Sequence, residues 1–168
     1  MGEISTGIQL QRTLCRWISI NIQEGNLMKK IAVVYYSMSG NTEAMAMEVV
    51  EGAKSAGADV RLFRSAEFQA ADIEGYDAIA FGCPAMGNEE LEETEFEPLF
   101  AACETKLGAK PIVLFGSYSW AEGEWMELWK ERCERQNLNV RDTVIAYASP
   151  DEEARKACQA LGKTLAEA

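Results

Sequence analysis

Val33-Val34-Tyr35-Tyr36-Ser37-Met38-Ser39-Gly40-Asn41-Thr42, followed by Glu43-Ala44-Met45-Ala46-Met47-Glu48-Val49-Val50, decides the fold of this chain. A continuous apolar run rich in Val and Tyr reads as a strand buried on both faces. It ends in a short hydroxyl-rich loop and turns directly into a segment of helix formers. Three hydroxyls (Ser37, Ser39, Thr42), the Asn41 amide and the flexible Gly40 then stand where a helix N-terminus presents N–H groups without carbonyl partners, a ready place for a phosphate. The loop has neither the lysine of a Walker-type loop nor the G-x-G-x-x-G spacing of dinucleotide binders. No Lys or Arg lies between Lys30 and Lys54, so hydroxyls, backbone amides and the helix dipole would hold the anion. The plainer alternative is a polar strand-to-helix turn with Ser39 or Asn41 as its cap.

Two later loops carry similar weight. Gly82-Cys83-Pro84-Ala85-Met86-Gly87-Asn88-Glu89-Glu90-Leu91 follows a third apolar run, and Met86–Glu89 suits a four-residue turn. Gly87 at its second place permits positive φ, and Asn88 at the third tolerates it. Such a turn flips its central peptide at modest cost and can offer a ligand either a carbonyl or an N–H. Glu89 is a candidate acceptor for an imide N–H; the alternative is a surface turn before a helix. Gly116-Ser117-Tyr118-Ser119-Trp120-Ala121-Glu122-Gly123-Glu124-Trp125 follows a fourth apolar run. Tyr118 and Trp120, aromatics in polar company, are either packing anchors or a platform for a flat ligand. Trp125 and Trp129 have helical spacing and read as core.

The remainder of the chain gives these loops a frame. Its 168 residues suffice for one domain with one good core. Alternation continues through strands at Lys30–Tyr36, Asp59–Phe63, Tyr76–Gly82, Pro111–Gly116 and Val140–Ala148. Helices are expected at Thr42–Ala56, Phe96–Leu107, Glu124–Gln136 with Trp125, Met126, Leu128 and Trp129 on its apolar side, and from Pro150-Asp151 to about Ala166; Ala70–Ile73 reads as one helical turn. Five strands alternating with helices imply α/β architecture, a doubly wound parallel sheet with helices on both faces. Ligands of such sheets sit at the carboxyl ends of the strands, near the point where strand order reverses.

Met28-Lys29-Lys30 before Ile31 reads as the natural start of that domain, 28–168. Residues 1–27 contain Glu3, Glu24, Arg12 and Arg16 and are therefore neutral, so the whole net charge of −11 belongs to 28–168. They lack the pattern of a signal peptide. Some helical character is expected around Ile8–Ile22, within an upstream leader or start-site artefact that packs poorly and is disordered. The acidic balance, with no histidine, disfavours a nucleic-acid partner. It suits a solvated surface or docking to basic proteins. No stretch approaches the roughly 20 apolar residues of a membrane span. Five cysteines (Cys15, Cys83, Cys103, Cys133, Cys158) form no C-x-x-C pair. They point to a reduced, cytoplasmic setting with thiols as small buried apolar groups.

The three loops together resemble flavodoxin of the short-chain type found in anaerobic bacteria. Tyr35, Ser37, Ser39, Gly40, Thr42 and Ala46 match the first-loop pattern, Ala85–Glu89 the Ala-Met-Gly-acid/amide-Glu segment, Leu91–Pro98 the stretch after it, and Gly116–Trp120 the Gly-Ser-Tyr-Gly-Trp segment. The resemblance covers residues 28–168. It implies a flavodoxin-like sheet of order 2-1-3-4-5 and non-covalently bound FMN as cofactor. It further implies a monomeric electron carrier, not a stand-alone catalyst, that shuttles single electrons between redox partner proteins docked on its acidic surface near the flavin edge. It assigns Ser37, Met38, Ser39, Gly40, Asn41 and Thr42 to the phosphate, and Pro84, Ala85, Met86, Gly87, Asn88, Glu89, Ser117, Tyr118, Ser119 and Trp120 to the ring. Met86 would cover one ring face and Trp120 the other. The Gly87–Asn88 carbonyl would turn toward the nitrogen protonated in the neutral semiquinone, and Glu89 would accept from the imide N–H. Many acids and no cation in the loops would disfavour a fully reduced anionic flavin, lowering the last potential by about 60 mV for each 1.4 kcal/mol.

Departures from the family pattern are Ser119 and Ala121 where glycine is common, a source of strain if either needs positive φ, and Pro84 in place of a hydroxyl. An FMN-dependent NAD(P)H or quinone reductase on the same fold is the alternative; no insertion long enough to build its second substrate pocket is present. A flavin-free receiver module would need acids at the first strand end and an aspartate at the third, where Tyr36-Ser37 and Cys83-Pro84 stand.

Overall fold

A computed structural model of the chain describes residues 28–168; the expectations for residues 1–27 lie outside them. Five parallel strands, β1 (Lys30–Tyr35), β2 (Asp59–Arg64), β3 (Ala78–Gly82), β4 (Pro111–Tyr118) and β5 (Asn139–Tyr147), form one sheet of order β2-β1-β3-β4-β5. This is the order that the resemblance implies. Four helices cover it: α1 (Asn41–Ser55), α2 (Phe96–Glu104), α3 (Glu124–Arg135) and α4 (Glu152–Glu167). Each expected strand and helix is present, with ends moved by a residue or so in most. Two 3₁₀ segments, Ser65–Glu67 and Ala70–Gly75, link β2 to β3. The second extends the single turn expected at Ala70–Ile73, and the first carries no such signal in the sequence.

Strand periodicity explains the two layers. Ala32 and Val34 of β1, with Ile79, Phe81, Ile112 and Leu114, face the α2 and α3 side, where Phe96, Phe100, Trp125 and Trp129 are buried. Ile31, Val33 and Tyr35, with Ala80, Val113 and Phe115, face α1 and α4, where Met45, Val49, Cys158 and Leu161 are buried. Leu128, expected on the apolar side of α3, is 54% exposed. It lies one residue from Trp129, about 100° around the helix and away from the sheet.

Two close approaches fix how helices and strands sit against one another. The first is the α1–α4 crossing. A Cβ on Gly52 would meet the Gln159 carbonyl oxygen at 1.9 Å, and one on Gly162 the Val49 carbonyl oxygen at 2.1 Å. The two backbones are therefore in contact, and Glu48 accepts from both Arg155 and Gln159 across the crossing. Second, β4 runs past Gly116, the end expected from sequence, because Ser117 and Tyr118 continue the ladder opposite Ala146 and Tyr147. Gly116 is not a stop. It stands where the Cys83 carbonyl oxygen passes only 2.1 Å from the position an added Cβ would take.

Candidate functional site

All three loops leave the carboxyl ends of parallel strands, β1, β3 and β4, which are neighbours in the sheet around the reversal of strand order. Hydrogen bonds knit them together. Tyr36 N–H donates to the Gly82 carbonyl (2.9 Å), Ala85 N–H to the Ser117 carbonyl (3.0 Å), and Cys83 N–H to the Phe115 carbonyl (3.1 Å). Thr42 Oγ1 and Ser117 Oγ are 3.0 Å apart in the buried interior and share a hydrogen bond. The sequence placed these two hydroxyls in separate loops, and the fold makes them partners.

At the first loop, Gly40 is the N-cap of α1 with φ of 89° and no side-chain cap bond. Neither Ser39 nor Asn41 caps the helix; instead the Gly40 N–H donates to Ser37 Oγ at 3.1 Å. This leaves the Asn41, Thr42 and Glu43 N–H groups of the first turn without intrahelical acceptors. Ser37 and Asn41 are half-buried, while Met38, Ser39 and Gly40 are exposed. Arg64, at the end of β2, brings a cation to this corner that the loop sequence does not reveal. It reaches Glu43 of α1 at 3.8 Å and lines a cavity of about 170 Å³ with Tyr36, Ser37 and Glu95. The β1–β2 register, with Tyr35 opposite Arg64, puts it there.

The second loop is a hairpin one residue longer than the expected Met86–Glu89 turn. Met86 and Glu90 exchange both backbone hydrogen bonds, at 3.0 and 2.9 Å. Positive φ falls at Gly87 (50°) and Glu89 (59°) rather than at Asn88. Gly87 and Asn88 form an exposed tip, Pro84, Ala85 and Met86 are half-buried, and the Glu89 side chain is buried. Glu89 Oε2 accepts from the Trp125 N–H at 3.1 Å, whereas Oε1 is buried without a partner among the described residues. A buried carboxylate oxygen left unpaired is costly, and an imide N–H is the kind of group that would satisfy it.

Ser117 and Tyr118 belong to the end of β4 and Ser119 and Trp120 to the exposed loop beyond it. Neither Ser119 nor Ala121 takes positive φ; Gly123, at 92°, makes the sharp entry into α3. The glycine departures therefore cost this loop no backbone strain. Trp120 is 66% exposed and Met38 75%, two large apolar side chains that no surface among the described residues covers.

Behind the hairpin lies Glu92, whose structural role the sequence did not signal. One carboxylate oxygen accepts from the Thr94 N–H (2.9 Å) and hydroxyl, and the other from the N–H groups of Glu95 (2.8 Å) and Phe96 (2.9 Å) at the start of α2. Burial alone would raise the Glu92 pKa, but these hydrogen bonds outweigh it and hold the carboxyl below its ordinary range. Burial, then the charges of Glu92 and Glu95, push the neighbouring Tyr36 hydroxyl up. The described cysteines, Cys83, Cys103, Cys133 and Cys158, are buried free thiols. Desolvation raises all four, the last three to about 12, so they stay protonated and unreactive at neutral pH.

This donor set fits FMN: neutral hydroxyls and free N–H groups for a phosphate, exposed Trp120 and Met38 beside them, and an unpaired acceptor for the ring. Comparison with known proteins agrees. Residues 33–165 match the family model described as Flavodoxin. The flavodoxin of Megasphaera elsdenii is 44% identical over 138 residues, 82% of this chain and 99% of that protein. The flavodoxin of Clostridium beijerinckii is 37% identical, covering 80% of this chain and 97% of its own length. The solution structure of two-electron reduced Megasphaera elsdenii flavodoxin superposes with a TM-score of 0.77, over 82% of this chain and 99% of that one. This chain belongs to the flavodoxin family of FMN-binding electron carriers.

Proposed function

We propose that the chain is a low-potential carrier of single electrons, with FMN held non-covalently by the three loops. Convergence of those loops around the β1–β3 reversal, with the free Oε1 of buried Glu89 among them, carries the reading. Asn41, Thr42 and the exposed Ser39 hold the phosphate, with Ser37 shaping the loop through its bond to Gly40. Ser117 acts through Thr42, which it fixes. Met86 and Trp120 flank the ring, Pro84, Ala85, Tyr118 and Ser119 shape the walls, Met38 lies alongside, and Glu89 accepts the imide proton through a hydrogen bond. Bound there, FMN supplies the redox chemistry; the protein sets its affinity and potential. The Gly87–Asn88 peptide, at the tip of a hairpin closed by Met86 and Glu90, can rotate without breaking either closing bond. Its carbonyl would then favour the neutral semiquinone.

The acids near this end, including Glu89, Glu90, Glu92, Glu93 and Glu95, disfavour a second negative charge on the flavin and suit a basic redox partner. We assign the whole function to residues 28–168 acting as a cytoplasmic monomer. Among the described residues no helix is long and apolar enough to cross a membrane.

The test is an anaerobic dithionite titration followed by visible spectra, on the full chain and on a chain beginning at Met28. A yellow protein that passes through a blue radical in both is expected, with Trp120→Ala binding FMN more weakly and raising the lowest potential. Direct bleaching would favour a two-electron NAD(P)H or quinone reductase. A colourless protein that resists FMN would overturn the proposal, and unchanged behaviour of Trp120→Ala would remove the stacking role.

A further inference from the structure

We infer that Trp125, buried in the core beneath the exposed hairpin tip, is a positioning residue that pins both ends of the flavin-covering segment Cys83–Glu89. Its indole Nε1–H donates to the Cys83 carbonyl at 3.2 Å, where the chain leaves β3. Its backbone N–H donates to Glu89 Oε2 at 3.1 Å, where the segment ends. One residue, in the first turn of α3, thus holds both ends of the span, and the intervening hairpin tip, Gly87-Asn88, is exposed.

The packing leaves the anchored carbonyl little freedom. Cys83 C=O lies between the indole and Gly116 of β4. A Cβ on Gly116 would meet that oxygen at 2.1 Å and the Trp125 ring at 3.1 Å. Tyr118 packs against the indole as well, with ring centroids 5.7 Å apart and planes tilted by 45°. Trp125 is 1% exposed and Cys83 is fully buried, so a Cys83 carbonyl that loses the indole donor has no bulk water beside it to replace the bond. Gly123, the N-cap of α3, lies two residues earlier, so the same helix start also sets where the Trp120 loop ends. Trp125 therefore fixes the two walls of the ring site relative to each other. The inference rests on the proposed assignment of those walls to FMN.

Trp129 provides an internal control. It is buried in the same core at 2% exposure, but its Nε1 has no partner among the described residues. Trp125→Phe and Trp129→Phe remove the same atoms, and the first alone breaks a hydrogen bond to the flavin-covering segment. The experiment measures amide hydrogen exchange over residues 85–90 in the apoprotein, then FMN affinity and midpoint potentials of the reconstituted variants. Trp125→Phe is expected to speed exchange in 85–90, weaken FMN about tenfold and shift the potentials at full saturation. Trp129→Phe should leave all three near wild type even where it lowers thermal stability. Equal effects of the two variants, or wild-type exchange and potentials in Trp125→Phe, would overturn the inference. Should Trp125→Phe fail to fold, Gly116→Ala perturbs the same carbonyl from its other side and must then give the faster exchange. Because exchange is read without cofactor, it decides the anchoring by itself, and a protein that binds no FMN would refute the proposed function alone.

Discussion

Glu92 shows how one residue can set the acid limit of this protein. Its carboxylate satisfies three backbone N–H groups and a hydroxyl at the head of α2, and its own N–H reaches Cys83 Sγ at 3.4 Å, so it ties α2 to the end of β3. Because the folded-state pKa lies below the ordinary carboxylate value, the ionised form stabilises the fold at neutral pH. That contribution is lost as pH falls through the depressed value. Glu92→Gln is expected to cost about 1–3 kcal/mol at pH 7 and to flatten the decline of stability below about pH 4.5. Denaturant titrations of both proteins across pH 3–7 check this; parallel acid limbs would contradict it. Other residue roles divide by how they are encoded. Ser39, Asn41 and Trp120 lie where the local pattern places them, in the segments that follow β1 and β4. Trp125 read correctly as core, but its two hydrogen bonds depend on Cys83 and Glu89, far from it in sequence. Arg64 was hidden for the same reason: only strand register brings it beside Ser37.

Elements were the most legible level, since a strand buried on both faces and a helix with an apolar stripe announce themselves by period. The failures fall where a residue has two uses. Gly116 read as a stop, yet it keeps β4 regular beside the Cys83 carbonyl, and the strand ran on to Tyr118. Leu128 read as core beside two tryptophans, but the stripe of α3 has room for Trp125, Met126, Trp129 and Cys133 and leaves Leu128 outside. Nothing local to either helix signals the α1–α4 crossing, because Gly52 and Gly162 are ordinary helix-interior glycines until the two meet. Gly162→Ala would drive a methyl group into the Val49 carbonyl and the Ala53 nitrogen, 2.1 and 2.7 Å away. Intrinsic propensity favours this substitution by up to about 1 kcal/mol, yet the chain should unfold at lower denaturant, by roughly 1–3 kcal/mol. An unchanged or higher midpoint would show that the helices can part freely.

At the scale of the molecule, charge governs encounter. With a net charge of −11, the proposed association with a basic electron acceptor should slow steeply with salt, since the Debye length shrinks from about 30 Å at 0.01 M to about 10 Å at 0.1 M. Stopped-flow transfer to such a protein should fall at least tenfold over that range; a flat rate would move docking away from the acidic face. Sheet order was implied by the family resemblance and not by the period of the pattern, which gives parallel strands without their order in space. Assembly order is written in neither, and here the close approaches of Gly52 to Gln159 and of Gly162 to Val49 have a consequence. The helix proposed to meet the phosphate is made early, and the helix it leans on is made well after it. The chain therefore cannot finish that site until α4 has left the ribosome. Loading with flavin waits for that step, and stalled chains ending at Pro150 should remain colourless.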